Sequence, residues 1–257
     1  YLLLISMGAP PILSAAGAVA FAFSSYNFII LEAGHVNKGY VMAVMPLTVA
    51  GMLLTFQKRW LRGFLLFLLG VTFSLDMGHP QITYYLALFC AILYIGYVIF
   101  TVQAKDTPSL AKTTSLFALG SILAMVPNIG KLYTDYEMAQ SSLRGPSELT
   151  ITPSGETLEE PNDGLDIDYA FMWSYGKMEM LTALIPYAYG GKTGGTLGQD
   201  SNLYKELRRR GAEVGSKVQT YTYWGDKPAT SGPNYFGAVV CFLMVFGLIH
   251  WKNQLKW

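Results

Sequence analysis

Residues 82–103, ITYYLALFCAILYIGYVIFTVQ, decide the fold: they carry no charge over a length that spans a bilayer. The hydrocarbon core is roughly 30 Å thick and a helix rises 1.5 Å per residue, so about 20 mostly apolar residues cross it. Five further stretches approach this requirement, at 11–31, 40–57, 61–77, 113–129 and 235–251. Pro10 and Pro11 open the first of them, where a missing N–H is harmless because the first helical turn has no partner for it. Several of the six are short, which leaves little room for tilt. The expected fold class is an all-α integral membrane protein with about six transmembrane helices.

Composition agrees. Of the 257 residues 52% are hydrophobic and 14% charged, with a mean hydropathy of +0.32. A soluble domain carries about 25% charged residues, so this chain cannot clothe a soluble surface. Tyr1 to Met7 reads as the tail of an apolar helix, with neither a basic n-region nor a small-residue cleavage site. An internal piece of a longer protein is therefore expected. Cys90 and Cys241 sit inside apolar stretches without paired or metal-ligand spacing, and read as buried structural thiols.

Between the fifth and sixth apolar stretches, residues 130–234 differ in kind. They hold 14 of the 17 acidic residues and 10 basic ones, which marks a solvated region rather than a further span. The expected organisation is a membrane bundle over 1–129, a mixed loop domain over 130–234, and a last membrane helix with its tail over 235–257. Residues 170–187 are apolar and aromatic with Lys177 and Glu179 embedded, a mixture that suits an interfacial helix in the headgroup layer. Residues 200–211 read as a short helix with Asp200 or Ser201 as N-cap, arginines in the last turn and Gly211 beyond. Residues 141–165 are loop-like.

Short loops rich in lysine and arginine stay on the cytoplasmic side. Lys58, Arg59 and Arg62 join the second and third stretches, Lys105 and Lys112 the fourth and fifth, and Lys252 and Lys256 follow the sixth. If all six stretches span, these regions share a side, which places the other turns and the 130–234 domain on the extracytoplasmic face. The outer turns contain Glu32, His35, Asn37 and Lys38, then Asp76, His79, Gln81 and Tyr84. Ionisable groups near a membrane are costly and tend to be functional, although helix caps and interfacial contacts account for them too. Glu32 and His35, like Asp76 and His79, are three apart, a spacing that puts each pair on one helical face. Two such pairs would suit a divalent metal, but more naturally His35 and Lys38 suit a phosphate, which cationic donors stabilise directly.

Other chemistries lack their signatures. Gly190-Gly191-Lys192-Thr193 has neither the upstream glycine nor the strand of a phosphate-binding loop, and no nucleophile elbow occurs. Basic residues form no nucleic-acid surface. Arg208, Arg209 and Arg210 read as a helix C-terminal cap or a headgroup contact. Trp173, Tyr175, Tyr223 and Trp224 suit stacking on sugar rings and equally suit an aromatic belt.

Taken in order, AFSSYN (22–27), EAGH (32–35), GHPQITYY (78–85), RGPSEL (144–149), WSYG (173–176) with Glu179, YWGD (223–226) and SGPNYFGA (231–238) resemble the bacterial YfhO-like membrane proteins, especially those of Bacteroidetes-type bacteria. The resemblance runs over nearly the whole chain and rests on the ordered set. It implies a polytopic protein of the GT-C type in the bacterial cytoplasmic membrane. Such a protein takes a sugar from a polyprenyl-phosphate carrier and transfers it, outside, to a cell-envelope glycopolymer or lipid. In GT-C enzymes an acidic residue in the first outer loop carries catalysis, and that loop is expected before Tyr1. The residues expected to hold substrate are Glu32, His35, Lys38, Asp76, His79, Gln81, Tyr84, Arg144 and Glu179. Two other classes fit the same apolar pattern: a transporter or flippase for lipid-linked sugars, and a non-catalytic subunit of a membrane complex.

Overall fold

The computed structural model describes residues 1–140, 142 and 167–250, and the protein is mostly helical. Among the described residues the helices are α1 (Leu2–Ser6), α2 (Pro11–Ala22), α3 (Ser25–Glu32), α4 (Val36–Phe56), α5 (Trp60–Asp76), α6 (Pro80–Gln103), α7 (Thr107–Met125), α8 (Ile129–Gln140), α9 (Ile167–Phe171), α10 (Asn202–Arg209) and α11 (Ala238–His250). Two short strands, β1 (Gly195–Gly198) and β2 (Lys217–Thr220), form the one sheet among them. Four helical runs are long and apolar enough to cross a membrane: Pro11–Glu32, Val36–Phe56, Pro80–Gln103 and Thr107–Gln140. At 17 and 13 residues, α5 and α11 are shorter. The chain divides into two compact units, Tyr1–Ala22 with His35–Leu165, and Phe23–Gly34 with Asp166–Trp257.

The first unit has the inverted side-chain distribution of a membrane-embedded bundle. Ile92, Ile95 and Ile99 of α6 face outward, whereas Ser14, Thr48, Thr55, Ser74 and Thr113 are buried. In hydrocarbon an apolar exterior costs nothing, and helices associate through small residues that let backbones approach. The α4–α5 pair shows this directly. A Cβ on Gly51 would lie 2.7 Å from the Phe67 Cα and 2.8 Å from the Gly63 carbonyl oxygen; one on Gly63 would lie 2.6 Å from the Thr55 nitrogen. Gly70 meets Thr48 in the same way, a Cβ there falling 2.6 Å from its nitrogen. The buried Thr55 hydroxyl donates to the Gly51 carbonyl at 2.9 Å, so it brings no unpaired polar group into the contact.

Aromatic rings fill the space beside this pair. Phe56 stacks on Tyr97 with centroids 4.2 Å apart, and Phe67 meets Phe117 at 4.7 Å. After α7 the chain tightens into a 3-10 turn, Val126–Asn128, around Pro127, and continues as α8. Asn128 fixes this bend, because its buried amide donates to the Thr72 carbonyl at 3.1 Å and to the Ala124 carbonyl at 2.9 Å. At the end of the bundle carrying the α4–α5 and α6–α7 turns, Lys58 pairs with Asp106 at 2.6 Å and the Lys112 ammonium lies 4.7 Å from the Trp60 ring centroid. Those two basic turns therefore share one end of the bundle. Their mutual hydrogen bond, the largest influence on both groups, raises the Lys58 pKa and lowers that of Asp106.

In the second unit, Ser25 ties α3 to the segment before α11. Its hydroxyl donates to the Tyr235 carbonyl at 2.7 Å and accepts from the Tyr235 N–H at 3.0 Å. β1 and β2 pair antiparallel, with Gly195 opposite Thr220 and Gly198 opposite Lys217. The Ser201 hydroxyl accepts from the Tyr204 N–H at 3.2 Å and caps α10, and Gly211 follows at φ +80°, as the sequence pattern anticipates.

Two expectations change. The 11–31 stretch is interrupted at Ser24, whose extended backbone separates α2 from α3 where Ser25 engages Tyr235. The 170–187 stretch is not one interfacial helix: its described backbone has the end of α9 and a 3-10 turn, Glu179–Ala183, because the Glu179 carboxylate takes up the Gly176 N–H that a continuous helix would use.

The glycine contact makes a direct forecast. Gly63→Val should lower stability in detergent by about 1–3 kcal/mol or more, since overpacking forces the α4 and α5 backbones apart. Gly96→Ala, where a Cβ meets nothing within 4 Å, should leave it unchanged or slightly raised. Thermal unfolding followed by circular dichroism compares the two; equal losses would refute the close-contact account.

Candidate functional site

Two polar constellations stand out, one in each unit. In the first unit the turn between α5 and α6 carries Asp76, Gly78, His79 and Gln81, and the start of α4 carries Asn37 and Lys38. Gly78 has φ +71°, a left-handed conformation that glycine adopts without strain. The point a Gly78 Cβ would occupy lies 2.9 Å from the Lys131 Nζ of α8 and 3.7 Å from the Asn37 Nδ2. Asn37, the Gly78 turn and Lys131 thus meet at one end of the bundle. Lys131 also lies 3.6 Å from Asp135, one turn along α8. Both outer turns are marked in the sequence by their polar residues; Lys131 is not, because it sits beyond the apolar run in the 130–234 stretch expected as a loop domain.

Beneath this end runs an apolar cleft of about 400 Å³, lined among others by Thr48, Phe67, Ser74, Thr83, Tyr94 and Phe117. Ser74 and Thr83 bracket the α5–α6 turn, and their hydroxyl oxygens are 3.0 Å apart. Ser74, which lines the cleft, stands two residues before the end of α5, just ahead of the Gly78 turn that Lys131 meets. The buried hydroxyl of Thr48, a residue that lines the cleft, packs against Gly70 and has no hydrogen-bond partner among the described residues.

The remaining expected residues separate. Glu32 is the last residue of α3 and His35 precedes α4, with Gly34 at φ +80° between them, so the pair does not share one helical face. Asp76 and His79 are split likewise by Gly78. Glu32 pairs instead with Lys192 at 2.7 Å, which gives the lysine of the glycine-rich 190–193 stretch its partner. His79 is the N-cap of α6 and its Nδ1 accepts from the Ile82 N–H at 3.4 Å. Gln81 donates to the Tyr85 hydroxyl at 2.8 Å, and Tyr84 is exposed. Arg144 lies outside the described residues. Among the described residues no group of three or more histidines, cysteines or carboxylates gathers to hold a metal ion.

Glu179 heads the second constellation. It is 2% exposed and fully engaged: its Oε1 accepts from the Tyr223 hydroxyl at 2.6 Å and lies 3.3 Å from the Lys227 ammonium, and its Oε2 accepts from the Gly176 N–H at 3.1 Å. The Lys227 ammonium also rests 3.6 Å from the centroid of the Tyr175 ring. The Lys227 N–H donates to the Tyr223 oxygen at 3.1 Å, completing a closed network. Burial alone would raise the Glu179 pKa; the hydrogen bonds from Tyr223 and Gly176 and the charge of Lys227 outweigh it and hold the carboxyl below the ordinary glutamate range. Burial, then the bond to Glu179, pushes the Tyr223 phenol up, so it stays a donor. Sequence reading singled out Glu179 but not Lys227, whose role depends on a contact across 48 positions of chain.

Removing one partner of a buried pair leaves the other charged and unpaired, at a cost of about 3–5 kcal/mol. Lys227→Met should therefore destabilise the protein far more than the exposed Lys177→Met. Because folding lowers the Glu179 pKa, its contribution is present above the unfolded glutamate value of about 4.3 and is lost as pH falls through the lower folded value. A pH series of unfolding midpoints should show an acid loss below about pH 4.3 that is absent in Glu179→Gln; the same acid slope in that variant would refute the assignment. Comparison with protein-family models, with curated proteins and with solved structures gives no match to this chain.

Proposed function

We propose that the chain is the donor-holding membrane part of a glycosyltransferase-like protein. It uses a polyprenyl-phosphate-linked sugar on the extracytoplasmic face of a bacterial cytoplasmic membrane to modify a cell-envelope glycopolymer or lipid. The observation that supports this most is an apolar cleft that runs up to the turn where Lys131 and Asn37 approach Gly78. A chain-bearing phosphate has that division: hydrocarbon tail in the cleft, anionic head against Lys131, Asn37 and the nearby Lys38 and His79. Ammonium groups there stabilise the phosphate as charge develops on it during sugar departure, which is the electrostatic part of such a transfer. The ordered resemblance to YfhO-like proteins points the same way.

In this reading the run α2–α3 and the helices α4, α5, α6, α7 and α11 make six spans, and the end with Lys58, Arg59, Lys105 and Lys112 faces the cytoplasm. Single cysteines at Arg59 and Gln81 check it, since a membrane-impermeant maleimide should label only the second in intact cells. Labelling of the first alone would invert the topology.

The donor site has its own test. With the protein in nanodiscs, Lys131→Ala and Lys38→Ala should each weaken binding of a polyprenyl phosphate roughly tenfold or more, as expected for a charged hydrogen bond worth about 1.5–3 kcal/mol. Transfer of labelled sugar from the carrier should fall in parallel. Unchanged binding in both variants sinks the reading, and bilayer translocation of the carrier without transfer would replace it with a flippase.

A further inference from the structure

The second unit holds an open groove of about 750 Å³, of a size that takes a small ligand. Its walls include Asp168, Tyr169, Phe171, Met172, Tyr175 and Asp226. Aromatic faces and two carboxylates line it, and no lysine or arginine does. Neither Asp168 nor Asp226 makes an ion pair among the described residues. Aromatic rings offer an apolar, electron-rich face to the C–H side of a sugar ring, while carboxylates accept from its hydroxyls. The absence of cations on the described walls selects against phosphorylated or sulfated ligands, because two carboxylates repel them.

The groove wall is built rather than incidental. Tyr175 belongs both to the groove and to a small neighbouring pocket, and the Lys227 ammonium lies over its ring, 3.6 Å from the centroid. Lys227 is in turn held by buried Glu179, which also fixes the Gly176 N–H at the groove. A Cβ on Gly176 would meet the Asp226 carboxylate, 3.1 Å from its Cγ, and displace that side chain. The Glu179–Lys227 pair thus sets the positions of Tyr175, Gly176 and Asp226 at once. We infer that this groove binds an uncharged saccharide, with Tyr175 as the stacking platform, Asp226 and Asp168 as hydroxyl acceptors, and Glu179 and Lys227 as positioning residues. The groove's role as the acceptor site rests on the transfer reading; the binding itself does not.

Saturation-transfer NMR on the full chain in nanodiscs, without carrier lipid, separates the two. Maltotriose and a trisaccharide of N-acetylglucosamine serve as neutral probes, and a sulfated trisaccharide as the anionic one. The neutral probes should bind at least tenfold more tightly than the sulfated one. Asp226→Asn and Tyr175→Ala should each weaken them roughly tenfold, the loss expected for one charged hydrogen bond or one stacking face. Gly176→Ala should do the same by displacing Asp226. Lys227→Arg, which keeps the charge against Tyr175 and Glu179, should retain binding that Lys227→Met loses. Polyprenyl-phosphate binding in the same samples reports on the first unit, so loss of one activity with retention of the other tells which reading fails. Asp226 is exposed, so Asp226→Asn leaves the buried pair intact and keeps the test independent of folding. Wild-type protein that ignores both neutral probes, binds the sulfated one as well, or keeps full affinity in Asp226→Asn and Tyr175→Ala overturns the inference.

Discussion

Between α4 and α5 the backbones lie so close that Gly51, Gly63 and Gly70 have no room for a Cβ, and the rest of the first unit is arranged around that approach. Lipid tails are as apolar as leucine, so no hydrophobic drive pulls two helices together inside a bilayer. Dispersion at short range and hydroxyls that satisfy themselves must do it. Thr55 returns its proton to its own helix, and Thr72 and Thr101 do the same on α5 and α6. The hairpin then sets where the α5–α6 turn and the start of α4 fall, and with them Asn37 and the Gly78 turn. The side chains against it, Phe67 above all, form one wall of the cleft.

The helical, membrane-embedded character was legible in composition alone because bilayer thickness sets a length that 82–103 meets without a charge. Helix ends were less legible. α4 begins at Val36 and not near Tyr40, and α7 at Thr107 and not near Thr113, since polar residues such as Asn37, Lys38 and Lys112 extend helices past the apolar run. The break at Ser24 could not be read locally, because the Tyr235 backbone that engages Ser25 is 210 positions away. The 3-10 turn at Pro127 falls inside the expected 113–129 stretch, and what pins it is the Thr72 carbonyl of α5.

Of the expected site, Asp76, His79 and Gln81 do share one short turn, while Glu32 is taken up by Lys192. The three-residue spacings misled because they presume unbroken helix, and a glycine at positive φ interrupts each one. Glu179 drew notice as a carboxylate embedded in an apolar stretch. Its surroundings show why such a residue is tolerable: Tyr223, Lys227 and Gly176 leave neither carboxylate oxygen unmatched. Local sequence holds no cue for Lys227, which arrives by chain folding beside the Tyr175 ring.

The run Thr107–Gln140 has 34 residues, about 51 Å at 1.5 Å each, against a hydrocarbon layer of roughly 30 Å. Its length exceeds that thickness by about 20 Å. Pro127 lacks the N–H that would stiffen the rod at that level, and Asn128 clamps it there to the neighbouring helix. Lys131 sits just past that clamp. A swing of α8 by about 10° would move a group one helical pitch (5.4 Å) beyond that point by about 1 Å, comparable to the tolerance of a hydrogen bond. The Asn128–Thr72 contact holds that angle, and with it the place of the Lys131 ammonium beside the Gly78 turn.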